Sequence, residues 1–284
     1  MAVMAMSLVY PQYVSLAHRY SALTAARTIG SLRSFYVVGY IAGLGVFAAA
    51  SESQTVLGPL LRPVHVAAGL AVVNIAVAWF LEPANGDVAE KPASVEASSV
   101  RGRVVLVGAA AALVLLRAAD SLRGVYLPLY ATDIGVDGTG VSVLSAVTAI
   151  AEFVVLVPIS MLSDRYGSRR TLVVVCLTGT LAFLLVAVGS GYPILVGSQV
   201  FYAAFAAGFQ SVGMVLLGEA LRSGIGGGAA LYTALVQVGS TVSILSPLIV
   251  PGYSPPAFLI AMAFCALAAA LLIVDRVVIR RPVG

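Results

Sequence analysis

Arg33, Arg117, Asp120, Arg123 and Glu152 each stand inside a long apolar stretch of this chain. An ionisable side chain at the centre of a bilayer costs about 2.5–3.5 kcal/mol on the mildest scale, so each needs a partner or a task. Arg117, Asp120 and Arg123 are spaced i, i+3, i+6, which on a helix places the carboxylate within reach of both guanidinium groups. Two flanking cations favour its charged form, so Asp120 is expected either to close an intrahelical ion triad or to hold ligand hydroxyls with one of the arginines, and not to carry protons. Glu152 has no cation one turn away in sequence, and burial favours its neutral form. It is the candidate for reversible proton uptake. Gln199, Tyr202, Gln210, Tyr232 and Gln237 add amides and hydroxyls on two consecutive apolar stretches, a donor and acceptor set that suits a polyol. Arg33, near the start of its stretch, either joins that set or extends to the interface.

Bond-making chemistry is not assembled. His18 and His65 are isolated, metal-ligand spacing is missing, and no Ser/His/Asp set falls in one region. The run Gly224-Ile225-Gly226-Gly227-Gly228 follows no strand, so it is expected to be a flexible joint between helices and not a nucleotide loop. Cys176 and Cys265 each sit in an apolar run and are expected to be reduced packing residues. The expectation is therefore no enzyme, no cofactor, no metal and no nucleic-acid partner.

The elements that must position these groups are membrane helices. Charged residues make up 10% of the 284 residues and hydrophobic ones 60%, against roughly 25% charged in an ordinary soluble domain. Mean hydropathy is +1.03. The apolar runs are continuous, as a spanning helix of about 20 residues requires, and lack the alternation of a barrel strand. They predict spans at about 2–17, 29–50 and 64–81, then a polar stretch, then 104–130, 139–162, 171–189, 193–218, 229–250 and 256–274. The first is interrupted by Pro11 and Gln12, and no cleavable leader is expected before it. The fold class expected is thus an all-α membrane bundle of about nine helices. It divides into a partial bundle (1–82), a cytoplasmic linker (83–103) and a six-helix bundle (104–284).

The basic residues orient the chain. Arg19, Arg27, Lys91, Arg101, Arg103, Arg165, Arg169, Arg170, Arg222, Arg276, Arg280 and Arg281 fall on one side of this topology, and only Arg62 on the other. By the positive-inside rule the linker and the C-terminus are expected to be cytoplasmic, in a multi-pass protein of the plasma (inner) membrane.

One connection carries a signature. Ser160 to Arg170 reads SMLSDRYGSRR, lying between the second and third helices after the linker. It resembles the cytoplasmic loop motif G-x-x-x-D-R-x-G-R-R/K of the major facilitator superfamily, with Asp164, Arg165, Gly167, Arg169 and Arg170 matching. The leading glycine is Ser160 here, and a basic position is Ser168. Within the superfamily the chain resembles bacterial sugar efflux transporters. The matching pieces are Asp120-Ser121-Leu122 leading to Leu127-Pro128-Leu129-Tyr130, Ala151-Glu152, Gln199 and Leu231-Tyr232-Thr233. Ser31-Leu32-Arg33 ahead of Gly39-Tyr40-Ile41-Ala42-Gly43 also matches.

The resemblance implies a secondary transporter that exports sugars or similar small polar solutes by alternating access, with protons as the coupling ion. In that frame Arg33, Asp120, Gln199, Tyr202, Gln210, Tyr232 and Gln237 bind solute, Glu152 couples protons and the loop motif gates. The spans before the linker then correspond to the family's fourth to sixth helices, with the first three missing. On that reading a second copy or a partner chain covers the exposed flank. The competing expectations are a drug or metabolite exporter of the same superfamily and a truncated, non-transporting membrane fragment.

Overall fold

The computed structural model describes residues 100–221, 224–245 and 255–280, together with Arg27, Ile29, Gly30, Arg33, Ser34, Val37, Val38, Gly39 and Ile41. Most of the two expected spans nearest 29–81, the span at 2–17 and most of the expected linker lie outside these residues. The chain divides into two units, one of residues 1–37 with 95–284 and one of 38–94. Of the smaller unit only Val38, Gly39 and Ile41 are described, all helical. Everything below concerns the larger unit.

Six helices follow one another: α1 (Val100–Asp133), α2 (Gly138–Tyr166), α3 (Ser168–Val188), α4 (Tyr192–Leu221), α5 (Gly224–Ile244) and α6 (Pro256–Arg280). All except α5 include a stretch long and apolar enough to cross a membrane. Their continuous apolar sequence leaves helix as the conformation that satisfies every backbone group within the segment. Breaks fall where the backbone chemistry demands them. Between α1 and α2, Gly135 takes φ +86 and Asp137 caps α2, its side chain accepting from the Gly140 amide at 2.8 Å. Gly167, at φ +89, ends α2 and also begins α3, and its N–H returns to the Ser163 carbonyl at 2.8 Å. An L-residue with a Cβ would be strained there.

Helix α4 is the hub. It packs against α1, α2, α3 and α5, and 72% of its apolar window is buried, against 28% for α2. Small residues make this possible. At Gly208 and Gly213 a Cβ would collide with Val175 and Leu113 side chains. Phe183, Phe205, Phe209 and Tyr232 form a chain of tilted and edge-on rings along α4, with centroid separations of 5.1–6.5 Å. The lipid-compatible surface is carried by residues such as Ile150, Phe153, Val154 and Val157 on α2.

The glycine run differs from its expected form. Gly224 to Gly228 is not a joint but the first turns of α5. Gly228 lies against the backbone of α4, where a Cβ would sit 2.5 Å from the Gly218 nitrogen. Glycine is required there by helix contact, and helix formation follows from the apolar sequence on its C-terminal side.

Candidate functional site

The ionisable residues of α1 do form a cluster, but not the expected triad. The Arg117 Nη1 group donates to Asp120 Oδ2 in an i, i+3 ion pair, and Arg117 Nε donates to Ser240 Oγ on α5 at 3.1 Å. Asp120 does not also bind Arg123. Its second oxygen accepts from the Tyr202 hydroxyl on α4. Arg123 turns across the bundle instead. Its Nη2 group donates to Thr148 Oγ1 on α2 at 3.0 Å and to Gln199 Oε1 on α4, and its guanidinium lies 4.1 Å from the Tyr202 ring centroid. Thr148 also donates to Gln199 Oε1 at 3.1 Å, and Gln199 Nε2 donates to the Leu195 carbonyl and Ser198 Oγ, both at 2.9 Å. Asp120, Thr148, Gln199 and Tyr202 are all buried.

The approach of α5 to this network depends on one residue. At Gly239 a Cβ would lie 2.6 Å from the Val114 carbonyl oxygen of α1. That contact brings the adjacent Ser240 to Arg117 and, at 3.2 Å, to Ser121. Counting from the helix ends at Asp133, Gly138 and Tyr192, Arg123, Thr148 and Gln199 lie about 10–15 Å down their helices at 1.5 Å per residue. The network therefore joins α1, α2, α4 and α5 within the depth of the spans.

Glu152 also departs from expectation. The carboxyl that has no cation near it in sequence meets Arg33, whose Nε and Nη2 donate to Oε1 at 2.7 and 2.5 Å. Sequence spacing could not disclose a partner 119 residues away. Arg33 belongs to a helical segment that runs antiparallel to α2. Arg27 pairs with Asp164 at 2.9 Å, Gly30 lies against Ser160, and Arg33 reaches Glu152. A Cβ at Gly30 would overlap the Ser160 hydroxyl, so the glycine and the small serine set the closeness of the two helices. Thr148 and Glu152 stand four residues apart on α2, hence on one face. The Arg33–Glu152 pair therefore adjoins the network.

Other candidates are dispersed. Tyr232 is buried beside Phe209, Gln210 is half-buried with no hydrogen bond among the described residues, and Gln237 is exposed. Sequence reasoning missed Thr148, Ser121 and Ser240. The spacing of Thr148 one turn from Glu152 was the available signal for the first of these.

At the opposite end, Asp164 closes the salt bridge to Arg27, and Arg165 lies over the Tyr166 ring, 5.4 Å from its centroid. Arg169 and Arg170 fall in the first turn of α3, where the helix dipole disfavours cations. A carboxylate, which the dipole favours, reaches the same turn: Glu219 of α4 accepts from Ser168 Oγ at 2.5 Å. Ser168 thus has a task at the position where the motif carries a base.

Residues 109–283 match the family model of the Major Facilitator Superfamily. The chain is also 35% identical to the Uncharacterized MFS-type transporter YfkF of Bacillus subtilis (strain 168) over 81 residues, which is 28% of this chain and 20% of that protein. The match spans about a fifth of that relative's length. With the family model covering more than half of the sequence and apolar helices carrying the matched residues, this multi-pass membrane chain belongs to the major facilitator superfamily.

Proposed function

We propose that the chain acts in secondary active transport, exporting sugars or similar small polar solutes in exchange for protons by alternating access. The observation that carries this reading is the network of buried Asp120, Tyr202, Gln199 and Thr148 around half-buried Arg123, which joins α1, α2 and α4 through groups that bind hydroxyls well. A purely structural bundle gains only about 0.6 kcal/mol from a typical interhelical hydrogen bond in a membrane. Several charges at this depth are a large outlay for that return, whereas a solute exchanging with them uses their full donor and acceptor capacity.

Glu152 is the proposed proton carrier and Arg33 its counter-ion in this conformation, so proton uptake belongs to the step of the cycle in which the two side chains part. A proton on Glu152 removes the charge that holds Arg33, and so loosens the antiparallel contact between the 27–37 segment and α2. The loop from Asp164 to Arg170 then acts at the cytoplasmic side, with the linker and C-terminus also cytoplasmic. The pieces resembling sugar efflux transporters support the solute class. Neutral hydroxyl-binding groups around the network also favour it over a cationic drug.

The test is flux of a radiolabelled monosaccharide in proteoliposomes with an imposed pH gradient. Export driven by the gradient, abolished by a protonophore and uncoupled in Glu152→Gln, is expected. Absence of flux for every sugar and sugar derivative tried would refute the reading.

A further inference from the structure

The two polar regions are unequal in charge. Arg33 and Glu152 cancel, as do Arg117 and Asp120, which leaves Arg123. Its partners are neutral oxygens of Thr148 and Gln199 and the face of Tyr202. Its Nε is shielded from solvent and has no hydrogen-bond partner among the described residues. Across both regions, among the described residues, three guanidinium groups therefore face two carboxylates. An uncompensated cation at this depth is costly, and an unmet N–H beside it adds to the cost. One anionic oxygen pair would relieve both, because a guanidinium binds a carboxylate through two parallel donors.

We infer that the solute carries a negative charge: it is a small hydroxylated carboxylate, its carboxylate on Arg123 and its hydroxyls towards Ser121, Tyr202 and Ser240. This rests on reading the network as the solute site. It narrows the solute class from neutral polyols to polyhydroxy acids. Tyr202 positions the guanidinium by stacking under it and holds Asp120 at its hydroxyl, so the lone carboxylate faces Arg117 and is kept from competing for Arg123. Thr148 and Gln199 hold Nη2, so a carboxylate on the Nε edge meets the unpartnered Nε–H and takes one Nη2 donor over from these two oxygens.

The test is binding to the full chain in lipid nanodiscs, with sodium gluconate, glucose and sodium chloride as probes at matched ionic strength. Gluconate is expected to bind at least tenfold more tightly than glucose, with chloride failing to displace it. Arg123→Gln should remove that preference, and Arg123→Lys, which keeps the charge but not the paired donors, should retain part of it. Tighter binding of glucose than gluconate would overturn the anionic assignment while leaving the solute site in place. Equal displacement by chloride would overturn the hydroxylated-carboxylate class. Binding of neither sugar would refute the solute-site reading itself, and the inference with it.

Discussion

Two groups of ionisable side chains among the described residues meet α2 one turn apart, at Thr148 and at Glu152, and their balance differs. Glu152 and Arg33 meet as one anion and one cation from distant parts of the sequence. Arg117, Asp120 and Arg123 come from consecutive turns of one helix and carry two positive charges against one negative. The balanced pair is a tie between two helices, which on the proposed mechanism opens when its charge is removed. In the unbalanced cluster Arg117 and Asp120 pair, while Arg123 is held by uncharged acceptors and an aromatic face, and on the proposed reading it gains when a negative charge is added. Proximity in sequence thus produced the less complete site, because residues at i, i+3, i+6 share a helix without sharing a direction. The side chain of Arg123 was claimed by α2 and α4 instead.

The sharpest way to break this contrast is Asp120→Ala. It strips Arg117 of its counter-ion and the Tyr202 hydroxyl of its acceptor. A loss of about 3–5 kcal/mol is expected in a reversible detergent-unfolding titration. Removing either member of the Arg33–Glu152 pair should cost about 3 kcal/mol, but the double variant Arg33→Met/Glu152→Leu should recover most of it. A coupling energy of about 1–3 kcal/mol in that cycle is the signature of a balanced pair. The corresponding Arg117→Met/Asp120→Leu variant should recover less, since Tyr202 and Arg123 keep their polar groups.

Packing supplies a milder test. Gly239→Val places carbon against the Val114 carbonyl and should cost about 1–3 kcal/mol, while loosening the Ser240 bonds to Arg117 and Ser121. The smallest effect is expected from Ser168→Ala, about 1 kcal/mol or less by the same titration. It deletes a bond to Glu219, whose exposed side chain can turn to water.

The helices themselves were legible because lipid imposes a single solution on long apolar runs. The six helical segments expected after residue 103 correspond to α1–α6, with α1 beginning at Val100, and all but α5 include a stretch long and apolar enough to cross a membrane. Gly224–Gly228 was misread because glycine's low helix propensity argues for a joint, whereas contact with the α4 backbone outweighs that preference. Asp120, Tyr202 and Gln199 were found in the network because polar groups in apolar runs stand out one residue at a time. Arg33–Glu152 and Arg123–Thr148 were not foreseen as pairs, since a sequence shows which polar groups are expensive but not which helix faces which. Gln210 and Gln237 stood out equally and were not gathered in.

Gly167 is all the chain that separates α2 from α3, ending one and starting the other. The corner has no slack to absorb travel. Any axial or twisting displacement of α2 is delivered undiluted to α3, and the Arg27–Asp164 and Ser168–Glu219 contacts grip the corner from either side. Mechanically it is an elbow with its ligaments attached on both faces: a movement begun near Glu152, about 18 Å up α2 from Asp164 at 1.5 Å per residue, must turn there rather than fade.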